Sequence, residues 1–381
     1  MNQVTRKNSQ SGFSLLELLI VVAVMAVVTG AVVAMMKDGM KVSSTTFELV
    51  NAQESLRTAH EYINRDVTQT GDGLKNVSPI LIPRLFVTTY LTRNAFLNTL
   101  STNANVVDMG LVTSDNDVPS GTAVAGSNPA VNVYTDTRTS PATPTDRVTI
   151  LANDPSFNQQ MGAISVNAAD IDLSGTAVRL KLTSADFNRA NFKVGEIYFI
   201  TSQAGGTFGT ITDIQGGGNP RLVFDTGDTY NLNTQNLLNT IVGMSGNNGT
   251  LPVSIMRMRI IHYYVNSGNL LVRRVFGVAN AGFTDNVIAE HVTNMQVRFT
   301  LNPTGAGAPP QPVSQITDSV QLKGIRQAEF VVTAETTHAV GNQNINGTVT
   351  PRSQALTMTT SVSIRNMQFR EALQPTSTNG G

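Results

Sequence analysis

The longest apolar run in the sequence lies near its N-terminus and constrains the whole chain. From Phe13 to Met36 the only charged residue is Glu17. Roughly 24 helical residues at about 1.5 Å each reach about 36 Å, enough to cross a bilayer core of ~30 Å. Residues 13–36 are therefore predicted to form a membrane-spanning helix. A carboxylate inside a bilayer is unfavourable by about 2.5 kcal/mol or more, which makes Glu17 a functional candidate. A plain anchor with Glu17 near the interface is the alternative.

The residues around Glu17 carry a family resemblance. Gly12 and Phe13 stand directly before the helix, and Glu17 follows Phe13 by four positions. This arrangement resembles the signal of type IV pilins and type II secretion pseudopilins. The resemblance implies that residues 1–12 are a leader, and that a prepilin peptidase cuts after Gly12 and methylates Phe13. It also implies that Glu17 pairs with the terminal amine of a neighbouring subunit during assembly.

The same resemblance and the charge pattern imply a location and a set of partners. Arg6 and Lys7 precede the apolar run, which favours a cytoplasmic N-terminus and a C-terminal domain in the periplasm. We expect a single-pass inner-membrane protein that contacts the lipid bilayer before assembly and later lies in a pilus at the cell surface. The implied partners are other minor and major pilins and the inner-membrane assembly platform.

The helical pattern continues beyond the membrane segment. Over residues 37–73, apolar residues recur at steps of three or four, which indicates a half-buried helix. They are Leu49, Ala52, Leu56, Ala59, Ile63 and Val67. His60 is expected on the polar side. Gly71-Asp72-Gly73 has the glycines typical of a helix end, which predicts one continuous helix of about 57 residues, on the order of 85 Å.

The remainder of the chain is predicted to be β-rich. Residues 74–250 are expected to form an accessory region of loops and short antiparallel strands, among them 147–151, 178–182, 210–214 and 221–224. Residues 251–370 show the clearest alternation, with a hairpin turn at Asn266–Asn269, and residues 371–381 are expected to be a flexible tail. The predicted class is α+β: a long N-terminal helix packed on a C-terminal antiparallel β-sheet, with an additional β-rich insertion.

A second resemblance lies in the C-terminal part. Its motifs are Arg273-Arg274, Ile288 to Gln296, Ile325 to Phe330 and Ser363 to Asn366. They resemble the core of the PilW-like minor pilins, which are related to the J-type minor pseudopilins. With the N-terminus, the resemblance covers roughly residues 13–75 and 250–370.

Composition excludes several classes of function. Lys plus Arg and Asp plus Glu number 26 each, so no electrostatic attraction to nucleic acid is indicated. Cysteine is absent, which excludes disulfides and thiolate metal sites. Asp115-Asn116-Asp117 is interpreted as a turn rather than a calcium loop, since the later ligands of such a loop are missing. Neither catalytic residues nor a cofactor or metal site is predicted from the four histidines or the glycine-rich loops, and we expect a protein that is not an enzyme.

Two functional hypotheses of different classes follow. The first is a structural subunit, a minor pilin that is incorporated at or near the fibre tip and promotes pilus assembly. A J-type minor pseudopilin of type II secretion is the alternative within that class. The second is a binding protein, in which residues 80–250 form an adhesin that a pilin helix displays at the tip.

Overall fold

The computed structural model describes the helix and most of the β-rich region. The described residues are 14–71, 74, 79–91, 101–103, 105–119, 121–123, 125–126, 132–133, 143–154, 163–245, 248–278, 282–302, 309–337, 341–345 and 348–364. The predicted leader 1–12 and the predicted tail 371–381 lie outside these residues.

One long helix precedes several short ones. In chain order they are α1 (Leu15–Thr68), α2 (Arg84–Phe86), α3 (Ser184–Ala190), α4 (Gln235–Val242) and α5 (Ser319–Lys323). A π-helical turn, Val87–Leu91, continues α2, and a 3-10 turn covers Ala168–Asp170.

The described residues also form twenty-four strands. In chain order they are β1 (Ile80–Pro83), β2 (Ser101–Asn103), β3 (Val106–Asp108), β4 (Val112–Val118), β5 (Asn132–Val133), β6 (Thr143–Asn153), β7 (Ile164–Val166), β8 (Ile171–Asp172), β9 (Val178–Lys181), β10 (Ile197–Ser202), β11 (Gly205–Thr210), β12 (Asp213–Gln215), β13 (Arg221–Phe224), β14 (Met244–Ser245), β15 (Asn248–Gly249), β16 (Val253–Val265), β17 (Leu271–Val278), β18 (Gly282–Ala289), β19 (Val292–Leu301), β20 (Gln311–Val313), β21 (Ile325–Glu335), β22 (Gly341–Ile345), β23 (Thr348–Arg352) and β24 (Ala355–Ser363). The predicted α+β class is confirmed.

The predicted face of α1 is the one that packs against the strands. Of the residues expected to be apolar and inward-facing, Ala52, Leu56, Ala59, Ile63 and Val67 are buried. The helix ends at Thr68, earlier than the predicted end at Gly71-Asp72-Gly73. Gly71 adopts a φ of 71°, and its amide donates to the carbonyl of Leu151, so the chain leaves the helix directly onto β6.

The C-terminal alternation corresponds to the strands that it predicted. β16 and β17 pair as an antiparallel hairpin across Asn266–Asn269, where the Asn266 side chain accepts from the amides of Gly268 and Leu270. A four-stranded sheet follows in the order β20-β19-β21-β24, and β22 pairs with β23 separately. Residues 346–347, between β22 and β23, lie outside the described residues.

The largest sheet is built around β16 and joins the two regions that the sequence separates at residue 250. The first part of β16 pairs with β7 and β10, and the second part pairs with β6 and β17. Beyond β10 the sheet continues with β11, β1 and β3, and the β1–β11 pair is parallel. Strands on the two sides of residue 250 therefore pair within one sheet. The expected boundary at residue 250 does not coincide with a division between sheets.

The buried apolar side chains of the described residues form two cores. The larger core joins the inner face of α1, the large sheet and the four-stranded sheet. The smaller core lies between residues 164 and 255, with Leu81, and includes a six-stranded sheet of order β12-β13-β9-β8-β15-β14. The predicted strand at 210–214 is divided, because Ile211 and Thr212 separate β11 from β12.

Candidate assembly site

The N-terminal half of α1 is an apolar helix that the described part of the chain leaves uncovered. Every described residue from 14 to 44 is exposed, including Leu15 at 80%. The most apolar 18-residue window of α1 has a mean hydropathy of 2.9, and none of it is buried. By length and composition this half of α1 can cross a membrane.

Glu17 lies in the first turn of this helix. Ser14 precedes the helix, and its carbonyl accepts the hydrogen bond from the amide of Leu18. Along α1 the next charged residue is Lys37, twenty positions and about 30 Å away, too far for the two side chains to meet. Within the described part of α1, the carboxylate thus has only apolar side chains around it. Gly12 and Phe13, the predicted cleavage and methylation residues, lie outside the described residues.

The second half of α1 is attached to the β-rich domain by a buried ionic cluster. We call Asp66, Arg273 and Tyr263 the Asp66 cluster. Arg273 donates from Nε to Asp66 Oδ2 at 2.5 Å and from Nη2 to Oδ1 at 3.2 Å, and the Tyr263 hydroxyl donates to Oδ2 at 2.5 Å. The side chains of Asp66 and Arg273 are 2% and 10% exposed. Burial, with the Asp66 carboxylate next to it, raises the pKa of Tyr263 above its ordinary value.

The Asp66 cluster was not predicted from the sequence, although one local signal existed. Asp66 follows Ile63 by three positions and Ala59 by seven, which places it on the apolar face of α1. A buried carboxylate requires a partner. The partners Tyr263 on β16 and Arg273 on β17 could not be identified from spacing, because they lie about two hundred residues away.

His60 is a second position where the expectation was wrong. It was expected on the polar side of α1, but the structure buries it against β24, where its Nε2 lies 3.0 Å from the carbonyl of Met358. Burial lowers the pKa of His60, so the ring is neutral at pH 7. His60 therefore contributes to the packing of α1 against β24.

The other three histidines belong to different parts of the chain. His262 is buried in β16, His291 lies between β18 and β19 with a φ of 56°, and His338 lies outside the described residues. Among the residues that the structure describes, no group of three or more His, Asp or Glu side chains is arranged to hold a metal ion.

Asp115-Asn116-Asp117 was interpreted as a turn, but the structure places it within a strand. These residues belong to β4, where the pairing with β6 shifts register between Asp115 and Val118. Asp117 has a φ of 53°, and its amide donates to Asp146 Oδ1 at 2.8 Å. The segment is a bulge within a strand.

Comparison with known proteins gives one match, and it lies at the N-terminus. The family model for the prokaryotic N-terminal methylation motif matches residues 7–33. No curated protein and no solved structure matches the chain. The motif implies processing by a prepilin peptidase and assembly with other pilins, and with the apolar half of α1 it supports membrane anchoring of a C-terminal domain. The match, on the segment that contains Gly12, Phe13 and Glu17, supports membership of the type IV pilin and pseudopilin family.

Proposed function

We propose that this protein is a minor pilin that is incorporated at or near the tip of a type IV pilus and promotes assembly of the fibre. The observation that carries the proposal is the uncovered apolar half of α1, joined through a buried ionic cluster to a large β-rich domain. An apolar helix of this length is stable either in a bilayer or among other apolar helices. Assembly of the fibre would transfer this helix from the bilayer to a bundle of other apolar helices.

The size of the β-rich domain supports a position at the fibre end. About 300 residues follow α1, and a compact domain of that length is about 50 Å across. The uncovered part of α1 extends roughly 44 Å from residue 15 to residue 44. Inside a fibre, such a domain must fit between subunits on both sides, whereas at the end it has neighbours on one side only. This role is structural and requires no catalytic group.

Glu17 is proposed to act through a charge pair between subunits. In the bilayer its carboxylate has no cation within reach along α1, so the isolated charge is unfavourable. In a fibre, the amine of a neighbouring Phe13 can approach it, and removing one partner of a buried pair typically costs about 3–5 kcal/mol. The pair would favour transfer from the bilayer to the fibre and would fix the axial position of each helix.

The test is the substitution Glu17→Gln, which removes the charge and keeps the size. Membrane insertion and cleavage should remain, while the amount of the protein in sheared fibres should fall at least tenfold. Glu61→Gln is the matched control, because Glu61 is an exposed glutamate on the domain half of the same helix. Wild-type incorporation of the Glu17→Gln variant would refute the charge pair. Immunogold labelling of fibres tests the position, since label along the whole fibre would contradict a tip location.

A further inference from the structure

One row of polar side chains crosses five neighbouring strands of the large sheet. The partners directly opposite one another are Thr113 on β4, Thr149 on β6, His262 on β16, Arg274 on β17 and Asp285 on β18. Residues paired in this way point to the same face of a sheet. The neighbouring residues Tyr263 and Arg273 point to the other face, where they contact Asp66 of α1. The polar row therefore lies on the face away from α1.

Most groups in this row have partners within the protein. Arg274 donates to both carboxylate oxygens of Asp285 at 2.7 Å and also to the carbonyls of Ala125 and Gly126. His262 Nδ1 lies 3.0 Å from Thr149 Oγ1. Two atoms differ: among the described residues, His262 Nε2 and Thr113 Oγ1 have no hydrogen-bond partner, although their residues are only 1% and 8% exposed.

Both of these side chains line the same small cavity. Its volume, counted as space open to the centre of a water molecule, is about 20 Å³. Val87, Leu91 and Met109 close it on the apolar side, and the charged residues Asp115 and Arg147 also line it. A cavity needs about 10–15 Å³ of such space, and two to four polar neighbours, to hold one water molecule.

We propose that this cavity binds one structural water molecule, which hydrogen-bonds to His262 Nε2 and Thr113 Oγ1. The site is built from β4 and β16, under the turn that continues α2. The water satisfies two buried polar groups that would otherwise each lose the hydrogen bonds that they make to solvent in the unfolded chain.

The chemistry of the lining favours water over an ion. Burial, and the nearby charges of Arg147 and Arg274, hold the pKa of His262 well below its ordinary value, so the ring is neutral. A neutral imidazole has one donor and one acceptor nitrogen, and a hydroxyl can donate or accept a hydrogen bond. Because water both donates and accepts hydrogen bonds, it can pair with His262 Nε2 in either tautomer of the ring. The opposite charges of Asp115 and Arg147 leave no net charge that would select an ion.

The experiment is the near-isosteric substitution Thr113→Val in the full chain, with thermal unfolding followed in detergent micelles. If the water is bound, the substitution removes one of its partners, and the Tm should fall by about 2 °C or more. If no water is bound, the substitution removes an unsatisfied hydroxyl from the interior, and the Tm should stay unchanged or rise. The second result would overturn the proposal.

Thr207→Val is the matched control. Thr207 is a buried strand residue whose Oγ1 likewise has no partner among the described residues, but it is not one of the residues that line this cavity. Its substitution should leave the Tm unchanged or raise it. An equal fall in both variants would also overturn the proposal, because the loss would then not depend on the cavity. A crystal structure of the full chain gives a direct test, through density within about 3 Å of both atoms.

Discussion

The Asp66 cluster should be the main polar contribution to holding α1 on the domain, and Asp66→Asn tests this. The substitution removes the negative charge but leaves Arg273 buried, and it replaces one of the two oxygens that accept from Arg273 and Tyr263. Breaking a buried ion pair by removing one partner typically costs about 3–5 kcal/mol. Because Asp66 is 2% exposed and accepts three hydrogen bonds here, we expect Asp66→Asn to lower the free energy of unfolding by about 3–5 kcal/mol.

The assay is chemical unfolding of the full chain in detergent, with two comparison variants. Arg65→Gln removes a cation that is 52% exposed and lies 3.5 Å from the same carboxylate, and it should cost no more than about 1 kcal/mol. A triple variant, Asp66→Leu with Tyr263→Phe and Arg273→Met, removes all the polar groups together and should recover most of the lost stability. A loss below about 1 kcal/mol for Asp66→Asn would refute the reasoning, and so would a triple variant less stable than the single one.

Two further predictions concern pH and processing. Burial raises the pKa of Asp146 from its ordinary 3.8 to about 7. Its contribution to stability is therefore fully present below about pH 4 and is lost as the pH rises towards 7, by at most about 4 kcal/mol. Asp146→Asn should remove this part of the pH dependence of unfolding, and an unchanged pH profile would contradict the assignment. Gly12→Val should leave the full-length precursor in the membrane, and N-terminal sequencing that still finds Phe13 would contradict the predicted junction.

Local patterns predicted those parts of the fold that depend on residues close together in the sequence. The three-to-four spacing from Ala52 to Val67 identified the inner face of α1, since one helix turn brings those side chains together. The Asn266–Asn269 turn identified the β16–β17 hairpin for a similar reason, because the turn itself fixes the pairing.

Long-range pairing could not be predicted in the same way. The sequence around β16 shows a strand, but not that its neighbours are β6, β7 and β10. The buried contacts of Asp66 and His60 depend on the side chains of residues 263 and 273 and on the backbone carbonyl of residue 358. The polar row from Thr113 to Asp285 likewise exists only once five separate strands are aligned, so no local spacing indicates it.

The pairing of β16 decides whether the middle of the chain is an accessory region that can be removed. Replacing residues 80–250 with a short Gly/Ser linker would delete β6, β7 and β10, leaving β17 as the only described neighbour of β16. It would also remove core residues such as Ile82, Phe86 and Ile150, which pack in the same cluster as the inner face of α1. Because each large side chain removed from a core costs about 2–5 kcal/mol, the loss far exceeds the total stability of an ordinary domain. We therefore expect this variant to lose cooperative unfolding and to be degraded in limited proteolysis. A protease-resistant core of α1 and residues 251–364 would show instead that the helix and the C-terminal strands fold without the middle of the chain, as the sequence alone suggested.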